Sequence, residues 1–540
     1  MKRNNTYQNL KLILLGIALI SATLACSKKN EGSLQKEKKP NFLFCIADDA
    51  SWQHFGAYGC NWVETPGFDR VANSGILFTR AYTPNAKCAP SRACILTGRN
   101  SWQLEEAANH SPNFPAKFKT YVEALGAQGY WVGSTGKGWA PGNPGKVDGK
   151  RRELAGKKFN THKLEAPTNG ISPNDYAQNF SQFLKERPEG EPFCFWYGGF
   201  EPHRPYDFES GEELGGMSKS GVDKIPEFWP DVDTIRSDML DYAFEIEYFD
   251  SHLKRMLEKL DEIGELENTI VFVTADNGMP FPRIKGQVYE YSNHLPLAVM
   301  WPKGIKNPGR RVDDFVNFID FAPTILELAG VKEEQSGMQP ITGKSLSELF
   351  YSEKEGSVST KRDFVLVGKE RHDVGRPDDQ GYPVRGIIKG DYLYLRNFKT
   401  GRWPAGNPET GYLNCDGSPT KTYILDTRRK KGQLEFWEMN FGKRPSEELY
   451  NITNDPFCMD NLAENEEFQE LKSGLEIEMK QRLTEQGDPR ILGNGDVFDN
   501  YPYAGAVHNF YNRYMNGEKI PADWVNDSDF DTYLLTPQNK

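Results

Sequence analysis

Asn41-Phe42-Leu43-Phe44-Cys45-Ile46-Ala47-Asp48-Asp49 is a short apolar run that stops on two carboxylates. The same pattern returns at Thr269-Ile270-Val271-Phe272-Val273-Thr274-Ala275-Asp276-Asn277. Continuous apolar runs of this length fit strands buried on both faces, the habit of parallel sheets. Helical stretches lie between them, at 115–129, 175–186 and 235–263. The last carries Leu240, Ala243, Ile246, Phe249, Leu253, Met256 and Leu260 close to a helical period. Strands alternating with helices predict an α/β fold, a large and mainly parallel sheet sandwiched by helices. Ligands of such sheets bind beyond the carboxyl ends of the strands. Asp48, Asp49, Asp276 and Asn277 therefore stand where a site is expected.

Working outward, the texture changes after about residue 385. Residues 386–397 read as an antiparallel pair turning at Lys389-Gly390-Asp391. Residues 465–486 read as one amphipathic helix with Asn465 as its cap. These features predict a catalytic domain over 41–385 and a smaller C-terminal α+β domain with an antiparallel sheet over 386–540. The tail from Gly493, rich in Asn, Asp, Tyr and Gly, carries no assigned role.

The 540 residues, 38% hydrophobic and 12% aromatic, suffice for a sizeable core. A net charge of -11 argues against a general nucleic-acid binder but allows a local cationic pocket for an anion. Lys2 and Arg3 followed by the apolar run 12–25 read as an export signal over 1–25, too short for a comfortable membrane span. Thr23-Leu24-Ala25-Cys26 resembles a bacterial lipoprotein cleavage box, which makes Cys26 the lipidated residue and 26–40 a polar tether. The expected location is the periplasm or cell surface, with the membrane met only through that lipid; plain secretion or an uncleaved anchor are the alternatives. Cys45, Cys60, Cys94, Cys194, Cys415 and Cys458 fit no zinc template. Disulfides and buried free thiols both remain open for them.

The strongest local signal is Cys88-Ala89-Pro90-Ser91-Arg92-Ala93-Cys94-Ile95-Leu96-Thr97-Gly98-Arg99. The competing reading is a buried thiol opening a helix with Ser91 as a cap. The stretch resembles the sulfatase signature, in which the Cys of Cys-x-Pro-Ser-Arg is oxidised to formylglycine before folding. The resemblance implies a maturation enzyme as partner and Cys88 as the modified nucleophile. A thiol is ill suited to this task, because a thiosulfate adduct has no built-in release step. A hydrated aldehyde carries two hydroxyls on one carbon. One attacks sulfur and expels the alcohol or amine; loss of the proton from the other ejects sulfate and restores the aldehyde. A helix start just after position 88 also aims backbone N–H groups at the anion.

Such a nucleophile needs a cation to lower its pKa and neutralise sulfate oxygens. Asp48, Asp49, Asp276 and Asn277 supply oxygen ligands alone, which select calcium, or magnesium, over zinc. A lone acidic pair is more often a cap or a solvated turn, but two pairs at the ends of two apolar strands point to a metal, with the residue at 88 as a further ligand.

With both signals in view, the resemblance to sulfatases of the alkaline phosphatase superfamily spans most of the chain after the tether. It implies an alkaline phosphatase-like fold. Gly136-Lys137 resembles the family's Gly-Lys element, so Lys137 is expected to bridge formylglycine and sulfate. Glu201-Pro202-His203-Arg204-Pro205 resembles its Pro-His-x-Pro element, so His203 is expected to bind sulfate and help protonate the leaving group. Lys285 matches the cation at the bridging oxygen, and Arg92 is expected to stabilise formylglycine and the metal ligands. Residues 447–463 resemble the segment that closes the family's C-terminal domain.

One departure stands out. The family usually places a His two residues after the Lys, suited to deprotonating formylglycine during release, and this chain has Trp139 there. Another group, water, or an alignment shifted by one residue would account for it; His372 and His294 are the substitutes considered. His54, His110 and His162 read as structural or surface residues.

Asp276-Asn277-Gly278-Met279-Pro280-Phe281-Pro282, with Ile225-Pro226-Glu227 and Asp250, looks like the heparan N-sulfatase (sulfamidase) branch. The expected substrate is a sulfated glycan, with N-sulfoglucosamine one candidate, and Arg371 and His372 are expected to reach the sugar. A phosphonate or phosphodiester hydrolase built on the same nucleophile, and a glycan-binding lipoprotein without catalysis, are the rival readings.

Overall fold

The strand Asn41–Ala47 (β1) is buried along its whole length inside an eight-stranded sheet. The computed structural model describes residues 38–532, so the export signal, Cys26 and most of the tether lie outside the described residues. The other strands are Ile76–Phe78 (β2), Trp131–Gly136 (β3), Lys157–Lys158 (β4), Phe193–Gly198 (β5), Thr269–Ala275 (β6), Leu297–Met300 (β7) and Arg310–Val312 (β8). Their order is β8-β2-β7-β6-β1-β5-β3-β4. The adjacent strands β6, β1, β5, β3 and β4 run parallel; β7 is antiparallel to both its neighbours.

The two-residue period of a strand divides β1 between two cores. Leu43, Cys45 and Ala47 face one side, where the helix Asp233–Glu262 packs through Leu240, Ile246, Phe249 and Leu253. Phe42, Phe44 and Ile46 face the other, against the helices Cys88–Thr97, Tyr121–Ala127 and Phe321–Leu328. Both faces are covered, which is why the run shows no polar alternation.

The parallel register lines up four strand ends. Ala47 pairs with Ala275, Ile46 with Gly198, and Gly136 with Gly198. Asp48, Asp276 and Lys137 are each the next residue beyond this row. The β3 and β5 ends approach too closely for side chains: a Cβ on Gly198 would stand 1.8 Å from the Lys137 carbonyl oxygen.

Two helical expectations change in the structure. The stretch 115–129 is helical only over Tyr121–Ala127, where Thr120 and Glu123 form a reciprocal cap. The C-terminal helix is Gln469–Glu485, burying only Leu475, Met479 and Leu483, and Asn465 caps a separate turn at Glu466–Phe468. The boundary at 385 falls inside a strand: the antiparallel sheet runs Phe364–Lys369 (β9), Val384–Lys389 (β10), Tyr392–Asn397 (β11) and Glu447–Asn451 (β12). The buried run of β9 has no local mark that separates it from a parallel strand; its pairing with β10 decides the matter. From Pro40 onward the chain is one compact unit.

All seven cysteines among the described residues are unbridged. No helix among the described residues is long and apolar enough to cross a membrane.

Candidate active site

Cys88 is the first residue of the helix Cys88–Thr97 and is 1% exposed. Its thiol donates to Asp48 Oδ1 at 3.4 Å and lies 3.7 Å from Asp49 Oδ1. Burial first, and then the negative charge of Asp48, pushes the thiol pKa well above its ordinary value. An unmodified cysteine here is a protonated, weakly nucleophilic group.

The carboxylates form one buried cluster. Donor atoms of Asp48, Asp49, Cys88 and Asp276 lie within 4.8 Å of one another. Asp49 takes a left-handed backbone conformation, φ 75°, one that Asp tolerates better than most residues. Its N–H donates to Asp276 Oδ1 at 3.1 Å. Asn277 Nδ2 donates to Asp49 Oδ1 at 2.6 Å and to the Gly278 carbonyl, and Asn277 Oδ1 is left buried without a partner. An orphaned amide oxygen beside three carboxylates is a donor set that fits a hard divalent cation.

Cations surround this cluster. Lys137 Nζ donates to Asp48 Oδ2 at 2.5 Å. Arg92 Nε donates to Asp276 Oδ2 at 2.7 Å, while its Nη1 holds the carbonyls of Lys137 and Gly138. Lys285 Nζ bridges Asp49 Oδ2 and Asp416 Oδ2, 2.6 Å from each. Burial opposes ionisation of Asp48, but Lys137, Arg92 and His203 outweigh it and bring its carboxyl to about 2. Burial and the neighbouring Asp48 push Asp276 the other way. The positive partners thus share the cluster unequally.

His203 follows the end of β5 and lines the cavity, with Nε2 3.8 Å from Asp49 Oδ2. Its Nδ1 donates to the Arg204 carbonyl at 2.6 Å, which leaves Nε2 to face the cavity. Trp139 donates its indole N–H to the Ala89 carbonyl at 3.0 Å and packs edge-on against Phe114. It props the start of the helix Cys88–Thr97 and has no titratable proton to offer.

The cavity above Cys88 measures about 600 Å³. Arg371 and His372 do not line it, which corrects their assignment to the sugar. Arg371 is buried and donates to the carbonyls of Tyr501 and Pro502. His372 is fully buried between the Gly286 carbonyl and Asn85 Oδ1, and burial holds its pKa well below the usual value. His294 is buried against Glu290 and stacked between Trp52 and Tyr82. Neither histidine substitutes at Trp139.

Other residues take their place at the wall: Lys87, His110, Asp373, Asp416, Tyr503 and Trp524. Only Lys87, adjacent to Cys88, and Asp373, adjacent to His372, carried any sequence hint. Tyr503 and Trp524 come from the tail that gave no pattern to interpret.

A buried oxygen-donor cluster, flanked by lysines at the C-terminal edge of a parallel sheet, defines a hydrolytic centre for an anionic group. Residues 40–331 match the sulfatase family, described as Sulfatase, and the chain belongs to it. The protein is a sulfatase. It is 28% identical over 496 residues to an ulvan-active sulfatase of Formosa agariphila, covering 88% of this chain and 89% of that one. It is 25% identical to the human N-sulphoglucosamine sulphohydrolase, over 88% and 96% of the two chains. A solved structure of a Bacteroides fragilis protein shares the fold with a TM-score of 0.63 at 18% identity, over 85% of this chain and 98% of that one. A solved complex of another protein with its substrate D-glucosamine-2-N,6-O-disulfate gives 0.57 at 20% identity, over 84% and 99%.

Proposed function

We propose that this sulfatase removes sulfate groups from a sulfated carbohydrate through a formylglycine made from Cys88, with a divalent cation, preferably calcium, held by Asp48, Asp49, Asp276 and Asn277. The observation that carries the proposal is the convergence of Cys88, this oxygen cluster and Lys137, His203 and Lys285 on one cavity. A relative that acts on ulvan and one named for N-sulphoglucosamine support the carbohydrate class. We further infer export and attachment through Cys26, with 41–385 as the catalytic part.

When bound, the cation supplies charge neutralisation for sulfate oxygens and lowers the pKa of the nucleophilic hydroxyl. Formylglycine supplies a nucleophile that can be regenerated. The chain's own residues do the rest. Lys137 and Lys285 keep their protons, because burial is outweighed by Asp48 for the first and by Asp416 and Asp49 for the second. Both ammonium groups are therefore available to sulfate oxygens and to the bridging oxygen. His203, with Nδ1–H fixed on a backbone carbonyl, offers Nε2–H to the leaving oxygen when the ring is doubly protonated. Arg92 holds Asp276 and the Lys137 backbone in register with the nucleophile.

Two measurements test this reading. In protein made by its native host, the peptide bearing Cys88 is expected to weigh about 18 Da less than the unmodified one. Turnover of sulfated disaccharides is expected to exceed that of a matched phosphodiester; the reverse preference, or an unmodified Cys88, defeats the proposal. The cation is tested apart from catalysis. Calcium added to a chelated sample at a hundred times its Kd is expected to stabilise the fold by about 2.7 kcal/mol. An unchanged melting temperature on titration argues against the cation.

A further inference from the structure

Beyond the sulfate-binding groups, one wall of the cavity holds an ordered polar trio. Asp373 is 4% exposed, and its Oδ1 accepts from His110 Nδ1 at 3.1 Å. Its Oδ2 lies 3.0 Å from Lys87 Nζ. His110 Nε2 has no hydrogen-bond partner among the described residues, and the ring lines the cavity. Burial lowers the His110 pKa, and Asp373 only partly offsets this. A neutral imidazole with Nδ1–H on Asp373 presents a bare acceptor at Nε2.

The charge balance of this wall is equally informative. Lys87 is matched by Asp373, Lys285 by Asp416 and Asp49, and Arg204 by Asp238. Among the described residues that line the space, Lys137 and Lys285 are assigned to the sulfate itself and Lys87 and Arg204 each already hold a carboxylate, so a second anionic substituent meets no unmatched lysine or arginine, while Asp373 and Asp416 both face it. Aromatic surface completes it. Trp524 is fixed by its indole N–H on the Leu413 carbonyl at 2.9 Å. Tyr503 is set by Arg371, which grips the two preceding carbonyls and sits 5.7 Å from the Tyr503 ring.

We infer that His110 and Asp373 form a specificity subsite that accepts hydrogen bonds from the ring hydroxyls of a neutral sugar and disfavours a uronic acid carboxylate. This rests on the sulfatase reading above and narrows its substrate class. His110 Nε2 receives a hydroxyl proton, Asp373 fixes the ring that does so, and Tyr503 and Trp524 cover the apolar face of the sugar. Arg371 acts one layer back, as a positioning residue for Tyr503.

The test is binding, measured by calorimetry in a Cys88→Ser background that does not turn over. The probes are a sulfated neutral monosaccharide, a sulfated uronic acid and inorganic sulfate. The neutral sugar is expected to bind more tightly than the uronic acid. Adding His110→Ala is expected to weaken neutral-sugar binding about tenfold while inorganic sulfate affinity stays within about twofold. His110→Gln, which keeps an acceptor, is expected to restore part of the loss. Equal weakening toward sugar and sulfate, no weakening toward either, or tighter binding of the uronic acid overturns the inference. Failure of the sulfatase reading shows separately, as wild-type protein that desulfates neither sugar.

Discussion

Cys88→Ala and Cys88→Ser are each expected to reduce turnover of a sulfated carbohydrate by on the order of 10⁴–10⁶, the scale of losing a nucleophile outright. Position 88 lies at the centre of the buried cluster. It begins a helix, is buried, and faces Asp48 and Asp49 at 3.4 Å and 3.7 Å. Neither methyl nor hydroxymethyl can supply a group with two hydroxyls on one carbon. Either replacement is no larger than the cysteine, so the surrounding packing is expected to persist and the melting temperature to move by no more than about 3 °C. The comparison therefore separates chemistry from folding. Activity retained within tenfold of wild type in either variant removes Cys88 from the mechanism.

The second large effect is on stability. Lys285→Met takes away the cation that Asp49 and Asp416 share, in a place where both carboxylates are 4% exposed or less. Breaking a buried pair by deleting one partner costs roughly 3–5 kcal/mol, because the other charge stays buried without compensation. The pH dependence follows from Asp416, which Lys285 holds below the usual carboxylate range despite burial. A depressed folded pKa contributes stability above the unfolded value, about 3.9, and loses it as pH falls through the folded one. The gap between wild type and variant is thus expected to be full near neutrality and to narrow in acid. Urea unfolding at neutral pH and below pH 4 measures it. A loss under about 1 kcal/mol, or a gap that widens in acid, contradicts the buried bridge. Lys285→Arg keeps the charge and is expected to lose much less stability.

Much of this molecule could be read from short stretches. The two apolar runs ending in acidic pairs declared themselves because a strand buried on both faces is mostly apolar, as six of the seven residues of β1 and five of the seven of β6 are. The helix 235–263 appeared within one or two residues of Asp233–Glu262 because its buried stripe repeats at a helical period. The antiparallel pair in the second sheet was legible from its turn, but β9 was not, since a buried strand carries no sign of which partner it will take. The same lack of a local sign hides the fact that the second sheet begins before residue 385.

The site divides along the same line. Cys88 with its flanking motif and the oxygens at the ends of β1 and β6 were legible from local pattern, Lys137 and His203 only through the resemblance, and parallel register carries four strand ends to one edge. That much follows from local pattern, motif and register. The opposite wall is set by packing between distant segments. Asp373 faces the cavity while Arg371 and His372, beside it in the chain, turn into the interior. Lys87 meets a carboxylate from a loop 286 positions later, and Tyr503 and Trp524 return from the end of the described chain. Loops have no period, so the direction of a side chain on them is set by whatever they pack against. The far wall of the cavity is therefore set by contacts between distant segments, and the oxygen cluster by a few contiguous ones.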